Sequence, residues 1–220
     1  MITAGIATLK PRELSFHRTI DSIYPYVDKI IAVLNFYRSI PPWVNDYPNM
    51  ECHLDHNILG AAGKFFKVSH CDGFYFSIDD DLAYPPSYID YMLEGIERHK
   101  CIVSLHGRVY PVPVVDFRKW TKAYRCLNDV HEDVQVNLGG TGVMAFDTAQ
   151  FKLNIHDLCD PINMVDCHVA REAWDQKIPI VVLKHSAHYL KYTPPPLMST
   201  IWHKTPDKSP HTDVLKSFLK

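Results

Sequence analysis

Three consecutive aspartates, Asp79-Asp80-Asp81, follow directly on the apolar run Phe74-Tyr-Phe-Ser-Ile78. Carboxylates this close repel one another, and a divalent cation with a preference for oxygen ligands relieves that repulsion. Asp79 and Asp81 form a D-x-D pair suited to Mg²⁺ or Mn²⁺, whose sites take one or two carboxylates and complete the shell with water and substrate phosphates. The plain alternative is an acidic turn, or a cap for a helix beginning near Pro85. The position of the triplet at the end of a buried strand favours the metal.

The elements that must position these residues follow from periodicity. Ile2 to Thr8 predicts a first strand, and Pro11 opens a helix whose Phe16, Ile20 and Ile23 share one face. Asp28 to Asn35 and Glu51 to Asp55 predict strands, and Leu59 to Ser69 predicts a helix. After the strand at 74–78, Pro85-Pro86-Ser87 starts a helix with Ile89, Met92, Leu93 and Ile96 on its buried side. Ile102 to Leu105 predicts a strand, and residues 108–137 predict mainly loops. Gly142 to Phe146 predicts a strand, Met164 to Gln176 a helix, and Ile178 to Leu183 a last strand. The segment 193–220, rich in proline, lysine and serine, predicts a tail on the surface. This alternation implies an α/β architecture with a mostly parallel sheet, in which ligands gather at the carboxyl ends of the strands.

Composition narrows the function. The 220 residues, 46% hydrophobic and 22% charged, suit a globular domain with its own core. A net charge of −2 gives no reason to expect nucleic acid or an anionic membrane as partner. The six cysteines contain no C-x-x-C pair, which suits reduced thiols. The cluster Cys52, His53, Asp55 and His56 is too compact to surround a zinc ion tetrahedrally. The N-terminus does not read as a signal peptide, and no run is long enough to span a membrane. The expectation is a cytoplasmic protein, or a module of a longer polypeptide.

Four blocks in order carry a resemblance: GIATLKPREL near the start, NILGAAGKF at 57–65, FYFSIDDDLAYPPSYIDYML at 74–93, and GGTGVMAFD followed by MVDCHVAREAWDQKIPIVVLKH. Across residues 2–190 the chain resembles the GT-A family of glycosyltransferases, and is similar to a compact module carried by large algal viruses. The resemblance implies a GT-A-like α/β domain over 1–192, with a nucleotide-binding half at about 1–106 and an acceptor half at about 107–192. It implies a UDP-sugar donor, a Mn²⁺ or Mg²⁺ cofactor, and a glycan or glycoprotein hydroxyl as acceptor.

The same resemblance implies roles. Thr8, Leu9, Lys10, Arg12 and Asn35 would cradle the nucleotide, and Lys64 would approach the diphosphate. Asp79 would lie near the ribose, Asp81 would ligate the metal, and Asp80 would assist. Asp166 would be the general base of an inverting reaction, with Asp160 as its rival. His185 would complete the metal shell, with His188 competing. Gly140 and Thr141 would let the sugar approach the backbone, and His106 would line the donor pocket. The acidic pair that often precedes the base helix is here Met-Val-Asp, which leaves one clear carboxylate. Two other readings use the same aspartates: a metal-dependent nucleotidyltransferase or phosphohydrolase, and a nucleotide-sugar-binding module without catalysis.

Overall fold

Strand β1 (Ile2–Leu9) lies inside the sheet, flanked by β2 (Lys29–Asn35) and β4 (Phe74–Ile78). The computed structural model describes residues 1–159, 163–194 and 207–220. The remaining strands are β3 (Met50–Asp55), β5 (Leu82–Ala83), β6 (Ile102–Ser104), β7 (Gly107–Val109), β8 (Lys122–Tyr124), β9 (Val134–Val136), β10 (Leu138–Gly139), β11 (Val143–Asp147), β12 (Ile180–Val182) and β13 (Lys191–Tyr192). Among the described residues the α-helices are α1 (Glu13–Ile23), α2 (Tyr88–His99), α3 (Val165–Asp175) and α4 (Ser209–Phe218).

Eight strands form the central sheet in the order β3-β2-β1-β4-β11-β6-β12-β9. The first four are parallel; β11 is antiparallel to both neighbours, β6 and β12 are parallel to each other, and β9 closes the edge antiparallel. This is the mainly parallel α/β sheet that the sequence implies. Strand order runs outward from β1 to β3 and then returns to β4 on the other side of β1. The crevice at the carboxyl ends of β1 and β4 is therefore the switch point at which such sheets bind ligands. Ile6 pairs with Ile78, which brings Thr8 level with Asp80 two residues further along each strand.

Period-2 alternation sends side chains to two cores. Phe76 and Ile78 join Ile30, Leu34, Phe16, Ile20, Met92 and Ile96 under α1 and α2. On the opposite face Tyr75 joins Phe65, Met144, Phe146, Val169 and Leu215. The α1 face formed by Phe16, Ile20 and Ile23 is fully buried, as its spacing requires. In α2, Leu93 is only partly buried, whereas Ile89, Met92 and Ile96 are inside.

Three sequence expectations are corrected. Residues 59–69 form no α-helix: two short 3-10 turns, Gly60–Phe65 and Val68–His70, are separated by Lys67 in the left-handed region at φ 62°. The loop-rich 108–137 segment contributes β8 and β9, and β7, β8 and β10 make a three-stranded sheet in the order β10-β7-β8. Of the segment expected as a tail, residues 195–206 lie outside the described residues, and its end is more than a surface tail. Helix α4 packs on α3 and buries Leu215, Phe218 and Leu219 in the second core.

Candidate functional site

The three aspartates meet three different environments. Asp80, only 4% exposed, accepts a hydrogen bond from Thr8 Oγ1 at 2.6 Å and lies 3.0 Å from Arg12 Nη2. Arg12 also pairs with Asp81. Asp79 pairs with Lys64, whose side chain is 7% exposed while that of Asp79 is 44% exposed. Lys64 is a buried cation held at the edge of a carboxylate that faces the crevice.

These pairs decide the charge states. Burial pushes the Asp80 carboxyl up to about 7, against the pull of Arg12 and Thr8. Burial and then repulsion from Asp79 raise Asp81 as well. Burial works against ionisation of Asp79 too, but there the Lys64 pair outweighs it and holds the carboxyl below its ordinary range. Burial likewise opposes the Lys64 ammonium, and Asp79 more than restores it.

Backbone fit fixes this geometry. The Lys64 carbonyl accepts a 2.8 Å hydrogen bond from Tyr75 Oη, and the two meet over Gly5. A Cβ on Gly5 would lie 2.0 Å from that carbonyl and 2.1 Å from Tyr75 Oη, so only glycine lets Lys64 sit here. On the other side, Tyr84 Oη donates to the Gly142 carbonyl at 2.7 Å and accepts from the Asp79 N–H at 2.9 Å. A Cβ on Gly142 would lie 1.9 Å from Asp79 Oδ2, so this glycine makes room for the carboxylate.

Two adjoining cavities share Ala61, Lys64, Asp79 and Asn163. The smaller, about 190 Å³, is lined by Thr8, Leu9, Arg12, Asn35 and Asp80 as well. Asn35 is 2% exposed, and its Oδ1 is buried without a partner, an acceptor that a ligand N–H or O–H would satisfy. Lys10 is turned away: it pairs with Glu13 and lies 4.9 Å over the Tyr37 ring. The larger cavity, about 330 Å³, is lined by His106, Gly140, Thr141 and Asp166, together with Arg108, Phe117, Lys208 and His211. Such dimensions suit a small polar ligand.

Asp166 sits in the first turn of α3 but caps no amide of that helix, whose N-cap is Met164. Its Oδ1 accepts instead from the Thr141 N–H at 3.0 Å and Thr141 Oγ1 at 2.6 Å. Thr141 is positioned in turn by Ser77 on β4, whose hydroxyl donates to the Thr141 carbonyl. The carboxylate is thus oriented by the strand that also carries the aspartates, with its other oxygen left for a ligand.

His185 does not join the aspartates. It forms an antiparallel bridge with Val130, places Nδ1 2.7 Å from the Leu183 carbonyl, and lines a different cavity beside Tyr91 and Tyr189. The competing His188 is exposed, in the left-handed region at φ 61°. Among the described residues no group of three His, Cys, Asp or Glu side chains surrounds one point. Asp160 lies outside the described residues. Sequence reasoning missed Arg108, Phe117, Lys208, His211, Asn163 and Tyr84. Tyr84 stood in view within the LAYPP string, whereas Lys208 and His211 belong to the segment read as a tail.

His106 gives the site an acid limit. Burial, then Arg108, lower its pKa to about 4, and burial, then Lys208, do the same for His211. Both imidazoles are neutral in the fold, while the unfolded chain takes up protons below about 6.5. Their contribution to stability is full above about pH 6.5 and is lost as pH falls towards 4, on the order of 2–3 kcal/mol for His106. Melting curves from pH 7 to pH 4.5 check this: the fall in Tm is expected to be shallower for His106→Gln.

No family model matches the chain, and no curated protein matches it. The fold is a mixed α/β one with a mainly parallel eight-stranded sheet, and a solved structure shares it. The chain is similar to the crystal structure of S. aureus TarS, a glycosyltransferase, with a TM-score of 0.53 and 12% identity, over 88% of this chain and 36% of that one. At that identity the likeness establishes the fold, and the chain spans little more than a third of the TarS structure. No described helix is long and apolar enough to cross a membrane.

Proposed function

We propose that the protein is a glycosyltransferase that moves a sugar from a nucleoside diphosphate donor, UDP-linked, to a glycan hydroxyl. The observation that carries this reading is the pair of adjoining cavities of which Asn35 and Thr8 line one, Asp166 lines the other, and Lys64 and Asp79 line both. The fold shared with TarS supports it.

In this reading the base and ribose occupy the smaller cavity, where the unpartnered Asn35 Oδ1 accepts from the nucleotide. Lys64 and Arg12 face the diphosphate as point and forked cations respectively. Asp166, oriented by Thr141, takes the proton of the acceptor hydroxyl as its oxygen attacks the anomeric carbon. The bond from that carbon to the diphosphate breaks in the same step, and the nucleoside diphosphate leaves with the electron pair. Attack from the face opposite the leaving group inverts the anomeric centre.

A divalent cation fits the site on charge and chemistry. Three carboxylates, Asp79, Asp80 and Asp81, face two cations, Lys64 and Arg12, so the cluster carries one uncompensated negative charge when all are ionised. Asp79 and Asp81 offer hard oxygen donors suited to Mn²⁺ or Mg²⁺, with diphosphate and water completing the shell. The cation would neutralise charge developing on the leaving diphosphate.

The test is a screen of UDP-glucose, UDP-galactose and UDP-rhamnose for UDP release with Mn²⁺, followed by NMR of the product. The expected product carries the anomeric configuration opposite to that of the donor. A retained configuration would remove Asp166 as the base.

A further inference from the structure

The larger cavity carries one side chain that the proposed step leaves idle, His106. It stands in the turn between β6 and β7, half-buried, and its ring makes no hydrogen bond among the described residues.

Backbone contacts hold this ring in place. The Gly140 N–H donates to the His106 carbonyl at 2.8 Å, and the His106 N–H donates to Ser104 Oγ at 3.1 Å. A Cβ on Gly140 would lie 2.8 Å from His106 Cβ and 3.0 Å from its Cγ, so the imidazole packs where only glycine leaves room. The residue after Gly140 is Thr141, which orients Asp166. Burial, then Arg108, keep the ring neutral, although Asp166 and Asp79 stand near enough to pull the other way. His106 is therefore under the influence of both the carboxylate at the diphosphate end and the carboxylate of the base.

A neutral imidazole has one N–H donor and one lone pair, and both are unused here. A hydroxyl also gives and takes hydrogen bonds, so it matches the ring in both directions. Asp79 and Asp166 line the same space and accept from hydroxyls as well, which suits a neutral polyol. In the proposed reaction the polyol between the diphosphate and the base is the transferred sugar.

We infer that His106 determines donor specificity, by exchanging hydrogen bonds with a ring hydroxyl of the transferred sugar. This deepens the proposed function and rests on it for the placing of the donor.

The experiment is calorimetric titration, with Mn²⁺, of UDP and of UDP-glucose, UDP-galactose and UDP-rhamnose into the full chain and into His106→Phe. The variant keeps a ring and removes both nitrogens. Its Kd for UDP is expected to match that of the wild type, while its Kd for the tightest UDP-sugar rises about 3- to 10-fold, the worth of one hydrogen bond. Analogues of that donor lacking one sugar hydroxyl at a time then find the partner. One of them should bind the wild type about 3- to 10-fold more weakly than the parent donor and bind His106→Phe no more weakly than the parent does, because the two losses remove the same contact. If His106→Phe loses UDP binding, His106→Leu, also without a hydrogen-bonding atom, takes its place with the same expectation. Loss of UDP binding in both variants would make His106 a support of the nucleotide site and overturn the inference. So would a Kd for the UDP-sugar that the variant leaves unchanged, a wild type that binds UDP but none of the three UDP-sugars, or deoxy analogues that lose the same factor in wild type and variant. A wild-type chain that binds no UDP fails the proposed function itself, and the inference with it; UDP binding with any of the other adverse results fails the inference alone.

Discussion

Asp166→Asn is expected to lower kcat by about 10²–10⁴-fold, the ordinary contribution of a general base, while donor affinity stays unchanged. Asparagine is close to isosteric and keeps an oxygen that can accept from the Thr141 N–H and hydroxyl, so the loop and the start of α3 retain their shape. What is lost is the capacity to take a proton. A fall in kcat without change in donor Kd therefore separates the base from a structural role. The same variant discriminates the alternatives. A nucleotide-sugar-binding module has no turnover to lose, and a nucleotidyltransferase built on the aspartates would not need this carboxylate to deprotonate a sugar hydroxyl. Rates are measured by UDP release under donor saturation, and Kd by titration.

The second large effect is expected at Lys64. Lys64→Met keeps most of the volume and removes the charge, leaving Asp79 without its partner and the diphosphate without a buried cation. Breaking a fully buried ion pair costs about 3–5 kcal/mol, but Asp79 opens to the cleft and water hydrates it, so about 1–3 kcal/mol is expected here. For a chain of this size that is a fall in Tm of roughly 2–12 °C. Donor binding should weaken by about 10- to 150-fold, the worth of one charge-assisted hydrogen bond. Thermal melts and UDP titration read the two effects on the same preparation. Unchanged donor affinity in the folded variant would remove Lys64 from the diphosphate site.

Local pattern and long-range fit divide what the sequence discloses. β1, β2 and β4 are legible as short apolar runs buried on both faces, and α1 and α2 because each buries one face at helical spacing. The aspartate triplet is legible as chemistry for the same reason: its strand is unmistakable and the carboxylates end it. The partners of those carboxylates are not. Nothing local pairs Asp79 with Lys64, Asp80 with Thr8, or Asp166 with Thr141, because each contact depends on strand order and register.

The departures have the same origin. Leu59 to Ser69 has the length and apolar content of a helix, yet Lys67 takes a left-handed conformation and the chain turns so that Lys64 can meet Tyr75. His185 follows a core strand, as a metal ligand would, but its bridge to Val130 carries it to a different cavity. Helix α4 has its apolar residues at helical spacing, Leu215 with Phe218 and Leu219, but prolines and lysines around it gave the segment a surface character. Lys208 and His211 went unread with it.

The central claim is a nucleoside diphosphate site completed by a divalent cation, and calorimetric titration of UDP tests it most directly. UDP is titrated with Mn²⁺ and then with EDTA, on the wild-type chain and on Asp81→Ala. The account predicts binding with Mn²⁺ that EDTA removes and that Asp81→Ala abolishes. No binding of UDP in either condition, with GDP and dTDP equally silent, would contradict it and return the three aspartates to a salt-bridged turn at the end of β4.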